Sequence, residues 1–265
     1  MDTRTITIDP NRVASRLAFV VALLVAANIA MQLFRLSTGR EYLPGLALVT
    51  LDGENNLPAL FSTALLVGAA ALLAFIAALE RRRQATHAGR WLLLSAGFAL
   101  MALDESLALH EKLIEPMRAL LGGRNLGVFY FAWVIPAIVL TGALGVFFLP
   151  FLLRLPRRTA VAFALSAAVY LGGAIGVELF EGWWREGNGH RNVVYHLLVS
   201  LEEGMEMTGL ILFLHALLAY VGNHHRDLRL AFGVDGKVAL QPQPDLSALE
   251  VRQAAGGGTE RVAQS

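Results

Sequence analysis

VYHLLVSLEEGMEMTGLILFLHALLAYV, residues 194–221, decides the fold. The run is long enough to cross a hydrocarbon core, which takes about 20 apolar residues, yet it carries Glu202, Glu203 and Glu206 in its middle. A soluble amphipathic helix would collect its polar residues on one broad solvated face. Here large apolar residues surround the acids, so the segment reads as a membrane helix that turns its carboxyls toward other protein.

Five further runs of similar character precede it, at 17–36, 57–79, 91–110, 129–153 and 160–184. Together they predict an all-α fold, a polytopic membrane bundle of six transmembrane helices. The 265-residue chain is 55% hydrophobic and 16% charged, with mean hydropathy +0.54, which sets it apart from soluble domains. Its organisation follows as a short N-terminal segment (1–16), a membrane domain (17–221) with a long first loop (37–56), and a polar tail (222–265) expected to lack structure apart from a short turn at 228–232. The first run follows Arg12 and Arg16 but exceeds the usual length of a signal-peptide core and lacks an A-x-A cleavage signal, so it reads as an uncleaved anchor.

Arginine placement sets the expected orientation. Arg4, Arg12 and Arg16 precede the first run; Arg81, Arg82, Arg83 and Arg90 fill the second loop; Arg154, Arg157 and Arg158 fill the fourth; Arg226 and Arg229 follow the last run. The alternate loops hold fewer cations, mixed with acids. The positive-inside rule then places both termini in the cytoplasm of a bacterial-type inner membrane, with loops one, three and five facing the periplasm or exterior. The net charge of +1 leaves no continuous basic surface for nucleic acid. The absence of cysteine excludes disulfides, thiolate metal sites and iron–sulfur ligation.

Under this topology the third, fifth and sixth runs bring their acids to one side. Asp104, Glu105, His110 and Glu111 end the third; Glu178 and Glu181 end the fifth; His196, Glu202, Glu203 and Glu206 descend from the start of the sixth. Glu206 falls roughly 18 Å below the start of its helix, whereas Asp104 and Glu178 fall roughly 10 Å below their outer ends. On continuous helices Asp104 shares a face with Glu111, and His196 with Glu203. Glu105 and His110 diverge from Asp104 by about 100° and 120°. Asp104, Glu178, His196, Glu203 and Glu206 are therefore expected to form the inner ligand set, with Glu105, His110, Glu111, Glu181 and Glu202 around it.

The nearby cations, Arg185, Arg191 and the histidines, are fewer than the acids, so the excess carboxyls need protons or a bound cation. Glu and Asp with one or two His suit iron, manganese or zinc, which makes a divalent metal the expected cofactor. The expected function is a metal-binding membrane protein, compatible with a metal-dependent hydrolase or oxidoreductase. A proton- or cation-coupled transporter and a non-catalytic complex subunit, alone or within an oligomer, are the alternatives. The apolar inner half and the lack of inverted symmetry count against transport. The expected partners are the bilayer and a small-molecule or ion ligand.

Simpler roles compete for several residues. Glu181 and Arg185 are spaced for an i,i+4 ion pair. His215 stands alone in the inner half of the sixth run, where an interhelical hydrogen bond is expected. Trp183 and Trp184 suit an aromatic belt, Pro136 a kink in the fourth run, and Gly172, Gly173 and Gly176 a close helix contact. A haem between His110 and His196 would sit poorly among carboxylates.

Overall fold

The computed structural model describes residues 8–39, 45–53, 55–123, 125–224, 228–232 and 238–242. Arg4, Arg40, Arg124 and Arg226, which entered the charge comparison, lie outside these residues. The chain divides into two units, Asp9–Val221 and a terminal one of Met1–Ile8 with Gly222–Ser265.

The Asp9–Val221 unit is all-helical. Its elements are α1 (Pro10–Thr38), α2 (Leu46–Val49), α3 (Leu57–Arg82), α4 (Ala88–Leu107), α5 (Leu109–Leu120), α6 (Val134–Leu152), α7 (Arg157–Leu171), α8 (Glu178–Asn188) and α9 (Val193–His224). A π-helical turn, Gly172–Val177, joins α7 to α8 into one membrane-length element. Five elements are long and apolar enough to span a membrane, namely α1, α3, α6, α7 with α8, and α9; α4 with α5 counts as a sixth only when the pair, bent by 78°, is taken as one span. The chain is thus a helical membrane protein.

Local chemistry explains the helix starts. Asp9 caps α1 by accepting from the Asn11 amide at 2.9 Å, with Pro10 opening the helix. Asn56 caps α3 by accepting from Ala59 at 3.0 Å, while its amide group donates to the carbonyls of Thr50 and Gly53. That second role fastens the first loop to the bundle. Leu51 is buried, and its amide donates to Asn28 Oδ1 on α1 at 3.2 Å. Asn28 in turn donates to Ser200 on α9 at 3.0 Å. Three elements share one buried amide, which leaves none of these polar groups stranded in an apolar interior.

Helices α3 and α9 carry the centre, with half of the apolar window of α9 buried against 11% for α6. Trp91 on α4 anchors the end opposite the first loop. It meets Phe151 and Phe163 edge-on at 5.1 and 6.1 Å, and lies 5.0 Å from Tyr220. His215 pairs with Asn11 on α1 at 3.0 Å, the interhelical hydrogen bond expected of it. Tyr220 donates to Glu80 at 3.1 Å at the same end.

Three expectations are corrected. The third apolar run, read as one helix over 91–110, breaks at Ala108, which adopts φ 47° and ψ 49°, and α5 leaves α4 at 78°. Pro136 introduces no kink, because α6 begins only at Val134 and its first turn has no use for the missing amide. The tail contains strand β1 (Leu228–Phe232), where a turn was expected, paired antiparallel with β2 (Val238–Pro242), Leu228 opposite Pro242. Leu228, Leu230 and Phe232 alternate with Arg229 and Ala231, a period of two that favours strand over turn.

Glycines set the approach of α7 to α9. A Cβ on Gly209 would stand 2.7 Å from the Tyr170 amide nitrogen and 2.9 Å from its Cα, so the two backbones touch there. Gly209→Ala is expected to lower the thermal midpoint in detergent through overpacking of about 1 to 3 kcal/mol. Gly176→Ala, with nothing within 4 Å, should leave it unchanged. Equal midpoints for both variants would contradict this contact.

Candidate functional site

The break at Ala108 builds the first part of the site. Because the chain turns sharply there, His110 folds back over the end of α4. Its amide donates to Asp104 Oδ1 at 2.8 Å, and its Nδ1 lies 2.9 Å from Asp104 Oδ2. Asp104 therefore supplies the cap that Ala108 cannot, and uses both oxygens in doing so. The expectation that His110 diverges from Asp104 assumed a continuous helix, and the break overturns it. Lys112 also turns back, donating to the Leu107 carbonyl at 2.9 Å. The His110 ring packs 4.8 Å from the indole of Trp133. Trp133 Nε1–H donates to Glu178 Oε1 at 2.7 Å.

Around Glu178 the acids meet. Glu178 and Glu181 are 8% and 3% exposed, and Glu202 on α9 stands within side-chain hydrogen-bonding reach of both. Three carboxyls from two elements therefore lie together, Glu178 and Glu181 buried and Glu202 half-buried. Glu181 does not form the expected ion pair with Arg185. Arg185 donates instead to Tyr195 Oη at 3.0 Å and lies over the rings of Tyr130, Phe131 and Tyr195, while the phenol of Tyr195 reaches Glu181. The second oxygen of Glu181, Oε2, is buried and has no hydrogen-bond partner.

A deeper group continues the series. Glu206 stands within side-chain hydrogen-bonding reach of the Tyr170 phenol, and Glu105 and Glu203 lie in the electrostatic neighbourhood of the same phenol. The π turn makes this contact possible. A Cβ on Gly173 would meet the Glu202 carbonyl at 2.8 Å and Glu206 Cγ at 3.3 Å, so the glycine lets α9 lie against the turn where its acids point across. Of the three glycines expected to permit close approach, Gly172 and Gly173 face Met205 and its neighbours, whereas nothing lies near Gly176.

His196 occupies a different place. It is buried, its Nε2 lacks a partner, and with Gln32 it lines a small cleft against Ile29, Leu33 and Leu36 of α1. Glu111 begins α5 on an exposed turn. The structure thus brings together Asp104 with His110, Glu178 with Glu181 and Glu202, and Glu206 with the neighbourhood of Glu105 and Glu203. It sets His196 apart. Among the described residues, no three His, Asp or Glu side chains stand at metal-ligand spacing.

Sequence reasoning missed the aromatic donors. Trp133 and Tyr195 each serve one buried glutamate and Tyr170 the half-buried Glu206, and each is a polar-tipped aromatic within an apolar run. That exception to the surrounding apolarity was the available signal. Asp52 in the first loop was missed too. It lies in the electrostatic neighbourhood of Arg185, Glu181 and Tyr195.

The chain belongs to the family described as Domain of unknown function (DUF8692), whose model matches residues 16–221. No curated protein and no solved structure matches it. The family's extent coincides with the helical unit that contains every acid described above.

Trp133→Phe is expected to strand the Glu178 carboxyl and to destabilise the protein by about 1 to 3 kcal/mol, read as a lower thermal midpoint. Trp183→Phe, at an exposed ring, is the reference and should behave like the parent. Ala108→Gly should raise the midpoint, because glycine occupies positive φ without a Cβ penalty, whereas Ala108→Val should lower it. The opposite order would mean that the break at Ala108 does not form.

Proposed function

We propose that the carboxyls of Glu178, Glu181, Glu202 and Glu206 form a cation site in which protons and a divalent metal ion exchange. The single observation that carries this reading is Glu181 Oε2, a buried carboxyl oxygen without a partner, beside the carboxyls of Glu178 and Glu202. Three neighbouring carboxyls in an apolar interior cannot all be ionised without compensation. Arg185 is engaged with Tyr195, and His110 with Asp104, so the compensation has to come as protons or a cation.

Without a metal ion, shared protons would let Glu202 hydrogen-bond its neighbours. A divalent ion would displace those protons and draw the carboxyls inward, since metal ligation requires the deprotonated form. Oxygen donors suit manganese, iron or zinc in the absence of thiolates. Asp104, with both oxygens committed to His110, and His196, across on the α1 side, support the site from outside the ligand set. Glu203 and Glu105 belong to the deeper group around Tyr170. A carboxyl left outside the coordination sphere would be placed as a general base for metal-dependent hydrolysis, and a redox-active ion would serve an oxidoreductase.

The arginine-rich second and fourth loops support an inner-membrane orientation with both termini cytoplasmic and the first loop outside. The site would then take its ion from the exterior or periplasm. Proton transfer without metal is the second reading, favoured by the direct adjacency of Glu202 to Glu178 and Glu181.

Calorimetric titration of detergent-purified protein with manganese, iron(II) or zinc tests the proposal. The expected result is stoichiometric binding that releases protons, weakens as pH falls, and drops at least about tenfold in affinity in Glu202→Gln, the equivalent of ~1.4 kcal/mol. No binding of any of the three ions would eliminate the metal reading and leave proton transfer. A C-terminal reporter active only in the periplasm would reverse the orientation.

A further inference from the structure

Helix α5 divides its surface into three sectors. Leu109, Leu113, Pro116 and Leu120 fall within about 60° of one another on the helix wheel, and all four are exposed. Glu111, Lys112 and Glu115 are also exposed and occupy the sector on the far side of that stripe. Between them, His110, Ile114, Met117 and Arg118 are half-buried, and two of these hold the helix to the bundle: His110 through Asp104 and Trp133, Arg118 through the Tyr130 carbonyl at 3.2 Å and the ring beneath it. One helix thus presents apolar, charged and packed faces at once.

Its length and direction select the apolar partner. Twelve residues give about 18 Å of helix, short of the ~30 Å hydrocarbon core, so α5 cannot span a membrane alone. With α4 set across a membrane, a 78° turn would lay α5 close to the membrane plane. Its depth would then be that of the acidic end of α4, at the level where hydrocarbon gives way to headgroups. At that level leucines on one side and charges on another match the two phases that meet there.

We propose that α5 is an interfacial helix that immerses Leu109, Leu113 and Leu120 in the lipid of one leaflet while Glu111, Lys112 and Glu115 stay in the headgroup water. The helix thereby forms the lipid-facing wall of the site, since His110 lies on the packed sector of the same helix. The proposal rests on the reading of the chain as membrane-spanning and is independent of what the carboxyls bind. A second copy of the chain is the competing occupant of the leucine stripe.

The chain has no cysteine, so single spin labels can be placed by substitution without other changes. Labels at Leu113→Cys, Leu120→Cys, Glu115→Cys and Val146→Cys are to be measured in phospholipid nanodiscs for collision with oxygen and with a water-soluble nickel chelate. Val146 on α6 is 76% exposed and serves as the lipid reference, and Leu109→Cys replaces either leucine variant that fails to assemble. The expected result is oxygen access several-fold above nickel access at 113, 120 and 146, and the reverse at 115. Nickel access at 113 and 120, with lipid access kept at 146, would overturn the interfacial helix alone. Labels at 113 and 120 closed to both reagents would overturn it in favour of a protein partner. Nickel access at 146 would remove the membrane reading and this proposal together.

Discussion

A carboxyl group inside a membrane bundle needs a hydrogen-bond donor, a proton or a cation, because burying the bare charge costs several kcal/mol. Much of the structure near the first loop follows from that requirement. Trp133 donates to Glu178, Tyr195 reaches Glu181, Tyr170 reaches Glu206, and His110 occupies both oxygens of Asp104. These donors come from α5, the start of α6, α7 and the start of α9. Satisfying four acids therefore ties most of the bundle together at one end. Glu202 differs, since its neighbours are the carboxyls of Glu178 and Glu181, and it is there that the compensation runs short.

Two backbone departures make this possible. At Ala108 a residue at positive φ ends α4 early and returns His110 to Asp104. At Gly172–Val177 a π turn widens the helix and, through Gly173, admits α9 within contact of the turn. Both irregularities border the acidic cluster, and both would cost stability in a uniformly apolar span. At the opposite end of the bundle Gln84 also adopts positive φ, in the turn that follows α3. There Trp91, Phe151, Phe163 and Tyr220 pack conventionally, and isolated polar pairs such as His215 with Asn11 suffice.

The family match covers the helical unit and assigns it no chemistry, so functional argument has to come from the site. Helix wheels grouped Asp104, Glu178, His196, Glu203 and Glu206 as one ligand set. The structure puts Glu178, Glu181 and Glu202 side by side and His196 against α1. The reason is geometric. A wheel relates residues within one helix, whereas contact across helices depends on which face each helix turns inward. On α9, the face of Glu202 and Glu206 meets the π turn, whereas His196 lies against α1.

The sequence by itself determined the helical membrane class, the approximate spans, the isolated role of His215 and the gathering of acids at one end. Apolar run length and the cost of buried charge are local properties that one chain displays directly. Only the tertiary structure decided that His110 turns back onto Asp104, that Trp133, Tyr170 and Tyr195 serve the glutamates, and that Arg185 pairs with Tyr195 instead of Glu181. Those outcomes depend on a single backbone reversal at Ala108 and on interhelical approach at Gly173. Neither has a periodic signature, because each is stabilised by partners distant in the chain.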